Sequence, residues 1–268
     1  MAARPAPPEF GYPDGVALAR DGSLYVVDTD NSALKKVSPA GDISTVAGLG
    51  LQYPTGVALA TDGTLYVADA GSRAVWRLAP GATTPEKLTG RGFTYPSAVA
   101  VAPDGTLYVA DNGTEGHGSV QKIGPTGRAE VLADNLHKPT GLVVAPDGTL
   151  YVAESGTNVI HHLTPGGTTA LATPGIMLDQ PHGLALGTDG VLYVADTFHN
   201  RILTISPAGT VATLAEGFSY PSGVAVDAAG TVYVTDTGHG TLRRVSPSGA
   251  ISAVVSATEA KASAAPLK

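Results

Sequence analysis

The sequence predicts an all-β chain folded as a six-bladed β-propeller, with four antiparallel strands to a blade. Three observations predict it. A proline-led segment recurs at Pro13, Pro54, Pro96, Pro139, Pro181 and Pro221, at intervals of 41, 42, 43, 42 and 40 residues. Each copy repeats the same run of short apolar segments and turns. The chain also holds 34 glycines and 20 prolines with only 15% charged residues, which suits short strands and tight turns rather than long helices. Self-similarity at this period is the mark of propeller blades. One four-stranded sheet cannot bury both faces, whereas six packed around an axis bury them all.

Within a copy, the first strand is the apolar run after the proline, such as GVALA or GLALG. A turn follows, Asp-Gly in five copies (Asp21-Gly22, Asp62-Gly63, Asp104-Gly105, Asp147-Gly148, Asp189-Gly190) and Ala229-Gly230 in the sixth. Asp-Gly is a strong hairpin signal because both residues tolerate positive φ. The second strand reads LYVAD or a close variant. A polar loop then leads to a third, alternating strand, as in AVWRLAP, and a Pro-x-Gly turn to a weaker fourth, as in DISTVAG. The expected division is a tail over 1–11, the propeller over 12–256 with blades starting near 12, 53, 95, 138, 180 and 220, and a weakly ordered tail over 257–268. Blade 6 is complete through Ser256, so the ring is expected to close by packing, without an exchanged strand.

No cysteine is present, which excludes disulfides and thiolate sites. The net charge of −7 gives no sign of nucleic-acid binding or of a basic membrane face. No apolar run approaches the roughly 20 residues of a membrane helix. MAARPAPPEF lacks a signal core, so the expectation is a soluble, monomeric chain, cytoplasmic as a whole protein and extracytoplasmic as an excised sensor domain.

The motif P-x-G-[VL]-A-[VL]-x-x-x-G, then [LV]-Y-V-[AVT]-[DE], then D-x-x-x-N-R-I resembles the NHL repeat. Its last part is complete only over Asp196–Ile202. The blades are similar to the six-bladed sensor domains of bacterial membrane serine/threonine kinases, which implies a binding module. They are more distantly similar to the peptidyl-hydroxyglycine lyase propellers, where histidines converging on the channel hold a metal. Pro181-His182 matches that lyase's Pro-His motif, but the other five equivalent positions do not, so a three-histidine site is not expected. In lactonase-like propellers a channel calcium is held by Glu, Asn and Asp, and here only Asp14 could serve. The blades are also distantly similar to the streptogramin lyase propellers, which share the blade motif but have seven blades, so six repeats count against membership of that family.

Two repeated residues have structural readings. The central tyrosines, Tyr25, Tyr66, Tyr108, Tyr151, Tyr193 and Tyr233, recur in every blade and are expected to pack between blades. The strand-end carboxylates, Asp28, Asp69, Asp111, Glu154, Asp196 and Asp236, are expected to accept loop amides rather than ring a metal.

Function is expected where blades differ. The residue after each lead proline gives Asp14, Thr55, Ser97, Thr140, His182 and Ser222, a polar ring at the channel mouth. The residue before it gives Tyr12, Tyr53, Tyr95, Lys138, Gln180 and Tyr220, the walls of a shallow pocket. Phe198, His199 and His239 join them from the loops between second and third strands, and His117 and His137 lie on the same face. His161 and His162 read as ordinary strand surface. The first expectation is a recognition propeller binding a small molecule or peptide at this mouth. The alternative is a lyase, hydrolase or cyclase using His182, His239 and Asp14, with a divalent metal as a candidate cofactor.

Overall fold

The computed structural model describes residues 9–46, 50–124, 127–164, 167–171, 173 and 175–255. These form six antiparallel four-stranded sheets, each built from consecutive strands. The first strands are Pro13–Leu18, Pro54–Leu59, Pro96–Val101, Pro139–Val144, Pro181–Leu186 and Pro221–Val226, and they line the axis. The outermost strands are short in blades 1, 2 and 6, as at Ile43–Thr45, Glu86–Leu88 and Ile251–Ala253. The helical content among described residues is two single 3₁₀ turns, Thr197–His199 and Thr237–His239. None of the described helices is long and apolar enough to cross a membrane.

The Asp-Gly turns differ from the simplest reading. Only the glycine takes positive φ, between 79° and 88° at Gly22, Gly63, Gly105, Gly148 and Gly190. Each aspartate instead uses its carboxylate to accept the amide two residues on, as Asp21 does from Ser23 at 2.9 Å. In blade 6 Asp227 does this work, accepting from Ala229 and Thr231, so Ala229 needs no carboxylate.

Six apolar clusters hold the ring, and each joins two neighbouring blades. Tyr108 packs with Leu142, Leu150, Val152 and Leu163 of the next blade. Tyr193 packs with Val224, Val232, Val234 and Val245. The seam between blades 6 and 1 is the cluster of Phe10, Val16, Leu24, Val26, Val37, Ala225 and Leu242. Among the described residues no strand is exchanged there. Residues 9–11 cover the seam: the Phe10 amide donates to the Gly240 carbonyl at 3.0 Å, and the Gly11 amide to Asp28 at 2.8 Å. The C-terminal tail over 257–268 lies outside the described residues.

Near the axis the first strands approach so closely that a Cβ has no room at most P-x-G glycines. At Gly223 it would stand 2.3 Å from the Asp14 carbonyl oxygen and 2.9 Å from the Val16 nitrogen. Those are backbone atoms, which can move only by shifting blade 1. Gly223→Ala is therefore expected to cost about 1–3 kcal/mol. Gly124→Ala, where among the described residues only the Arg128 carbonyl oxygen comes within 4.0 Å, is the benign control. Urea melts of the two variants check this.

Candidate functional site

The register explains where the mouth residues point. Each lead proline pairs with the strand-end carboxylate residue of its own blade, as Pro181 does with Asp196, and the ladder shifts directly after it. A bulge at that point re-aims the next side chain. Asp14, Thr55, Ser97, Thr140, His182 and Ser222 all line the channel, a narrow cavity of about 70 Å³.

Three of the ring hydroxyls are occupied in joining blades. Thr55 donates to the Pro96 carbonyl at 3.0 Å, Ser97 to Pro139 at 2.5 Å and Thr140 to Pro181 at 2.8 Å. The remaining three lead-proline carbonyls accept from another position, the threonine after the strand-end carboxylate. Thr29 donates to Pro54 at 2.9 Å, Thr197 to Pro221 at 2.8 Å and Thr237 to Pro13 at 2.6 Å. A closed circuit of six hydroxyl-to-carbonyl bonds results. In blades 1 and 5 these threonines relieve the ring residue of that work, and there the ring residues are Asp14 and His182.

Asp14 and His182 face each other with Nδ1 and Oδ1 3.8 Å apart. Neither side chain makes a hydrogen bond among the described residues. Burial pushes the Asp14 carboxyl up from 3.8 to about 7 and the His182 imidazole down from 6.5 to about 4. Each charged form is penalised by loss of water. Across the intervening range the pair carries one proton between two groups. The rest of the ring offers only hydroxyls, and among the described residues no group of three or more His, Cys, Asp or Glu side chains is placed to hold a metal ion. The donor set therefore does not fit a divalent cofactor at the channel.

The residues expected as pocket walls do not line the channel itself; of them, Tyr12 and Tyr95 feel the charge of Asp14. Tyr12, Tyr53, Tyr220 and Phe198 are exposed large apolar side chains. Tyr53 and Tyr95 stand with ring centroids 6.3 Å apart, and Phe198 meets Tyr220 edge-on at 5.3 Å. Lys138, Gln180 and Tyr220 adopt positive φ of 55°, 47° and 49°, while Tyr12, Tyr53 and Tyr95 do not. The Gln180 and Tyr220 turns are held by Asn158 and Asn200, whose side-chain oxygens accept the Gln180 and Tyr220 amides at 2.8 Å.

His199 and His239 lie outside the channel lining. Their Nδ1 atoms sit 3.0 and 2.8 Å from the second oxygens of Asp196 and Asp236, whose first oxygens accept the Asp179 and Ser219 amides. The same bracing recurs with other chemistry: Asn31 donates to Asp28 at 2.8 Å and Trp76 to Asp69 at 3.1 Å. The strand-end carboxylates are thus loop-fixing acceptors, and His199 and His239 are two ways of satisfying them. His161 departs from the strand-surface reading for the same reason. It turns inward against Glu154, which also accepts the His137 amide at 2.6 Å. His162 stays on the strand face, stacked on Tyr151. His117 sits at the rim beside Asn135.

The NHL repeat matches residues 10–37, and the virginiamycin B lyase family matches residues 46–265. No curated protein matches the chain. Among solved structures, virginiamycin B lyase from Staphylococcus aureus is 16% identical over 90% of this chain and 83% of its own, with a TM-score of 0.68. A catalytically inactive histidine-to-alanine variant of that lyase, with quinupristin, is 16% identical over 85% and 78%, with a TM-score of 0.64. A gluconolactonase from Xanthomonas campestris is 20% identical over 84% and 83%, with a TM-score of 0.72. At these identities the structures share the fold. The family match bears out the resemblance to the streptogramin lyases and corrects the inference that six blades count against membership. It spans well over half of the sequence, and the chain belongs to the virginiamycin B lyase family.

Proposed function

We propose that the channel mouth binds a small molecule or peptide and that Asp14 and His182 transfer protons on it in a lyase-type elimination. The observation that carries this reading is the part-buried pair itself, two titratable groups facing one channel with no hydrogen bond among the described residues to occupy either. Environments that push two pKa values apart assign acid and base roles. His182 is held neutral and takes a proton from carbon. Asp14, protonated below about pH 7, gives one to the leaving oxygen. The C–H and C–O bonds break, a carbon–carbon double bond forms, and the protons balance. A cavity of about 70 Å³ is far smaller than the roughly 300–1,000 Å³ of ordinary ligand pockets. The ligand body therefore rests on the aromatic rim and directs one group downward.

Quinupristin is the test compound, followed by liquid chromatography and mass spectrometry. Elimination yields an opened isomer of unchanged mass, the expected result. Hydrolysis would add the mass of one water and overturn the lyase chemistry. Binding without conversion would reduce the reading to recognition alone.

A further inference from the structure

We propose that the half of the mouth built by blades 1 to 3 recognises an organic cation, an ammonium or quaternary ammonium group carried by the ligand, through the faces of Tyr12, Tyr53 and Tyr95 and the carboxylate of Asp14; this rests on reading the mouth as the ligand site.

The mouth is divided into two unlike halves. Blades 4 and 5 present Lys138 and Gln180 from left-handed backbone. Blades 1, 2 and 3 present three tyrosines in succession, and none of these takes positive φ. The Tyr53 and Tyr95 rings are tilted by 54° with centroids 6.3 Å apart, so they form an open V, not a closed slot. Tyr12 and Tyr53 keep almost half of their surface in solvent.

The electrostatics of this half are one-sided. Burial raises the Tyr12 and Tyr95 hydroxyls above the ordinary phenol value, and the neighbouring Asp14 and Tyr53 groups raise both further. Asp30 adds to this at Tyr12. Asp14 thus lies close enough to Tyr12 and Tyr95 for its charge to be felt at both. Among the described residues neither Asp14 nor Asp30 pairs with a lysine or arginine, and the partner of Asp14 is His182, which burial keeps neutral. An electron-rich ring face attracts a cation within about 6 Å of its centroid. A cation seated there also stabilises the ionised carboxylate that remains once Asp14 has given up its proton. An anionic ligand group would meet the opposite field.

Choline and its uncharged isostere 3,3-dimethylbutan-1-ol separate charge from shape. Both are titrated by ligand-observed NMR at pH 8, where Asp14 is ionised. Choline is expected to bind about tenfold more tightly than the alcohol. Tyr53→Leu and Asp14→Asn are each expected to remove most of that preference, with melting curves confirming that the variants fold. Equal binding of the two compounds overturns the cation assignment, as does choline binding indifferent to both substitutions. If quinupristin binds or is opened while choline does not bind, the cation proposal fails and the mouth reading stands. If neither binds, both fail.

Discussion

His182→Ala is expected to lower turnover by about 10²–10⁴-fold, the usual contribution of a positioned general base. At pH 7 the melting curve should be nearly unchanged, because the imidazole makes no hydrogen bond that folding depends on. His199→Ala is expected to have a smaller effect on both. Its partner oxygen on Asp196 is also held by Arg201 at 2.7 Å, so the loop keeps a brace. An activity assay on both variants decides this. If His182→Ala works normally and His199→Ala does not, the site lies on the outer rim.

The pH dependence of stability gives a second readout. Asp14 is raised from 3.8 to about 7, so its contribution is present at low pH and lost as pH rises through 7. His182 is lowered from 6.5 to about 4, so its contribution is present at neutral pH and lost as pH falls through 4. Between about 4 and 6.5 the folded pair keeps its proton on Asp14 and the unfolded pair on His182. Proton counts match, and the two slopes cancel. His182→Ala leaves Asp14 alone, and its stability should fall as pH rises from about 4 to 7. Asp14→Asn should show the mirror image, falling as pH drops from 6.5 towards 4. Flat urea-melt profiles in both variants would contradict a buried pair.

The repeat carried the fold because every blade states the same pattern, so six noisy copies reinforce one another. The channel ring was legible for the same reason: the residue after each lead proline is found by counting. What counting alone does not show is which ring members are already occupied. Thr55, Ser97 and Thr140 look like ligand donors until their bonds to the next blade are seen. Yet a trace of this lies in the sequence. A threonine follows the strand-end carboxylate at Thr29, Thr197 and Thr237, in the three blades whose ring residue is not used for joining. His239 was harder to place. A loop histidine three residues after an aspartate serves equally well as a catalytic group or as a brace, and only the Nδ1 contact distinguishes them. His161 was obscured because the same strand position carries unlike side chains: Lys35 bonds to Thr45 on the strand surface, whereas Trp76 and Arg243 turn, as His161 does, to the strand-end carboxylate of their own blade.

Tyr108→Ala and Tyr193→Ala are each expected to cost about 3–5 kcal/mol, the range for truncating a buried aromatic. Both side chains are over nine-tenths buried, and both lie in clusters shared between their own blade and the following one. Removing either opens a void at an interface instead of within a sheet. That location matters because a propeller is a closed ring of like interfaces. A blade cannot move to fill the gap at one side without opening a gap at the other, so little relaxation is available. Tyr25, Tyr151 and Tyr233 occupy equivalent positions but are only partly buried against their clusters, so truncation there should cost less. The ordering of the five variants in chemical denaturation is therefore a test of the inter-blade role, separate from its size. A Tyr108 or Tyr193 variant that melts like the parent but no longer binds ligand would move that tyrosine from the core to the site.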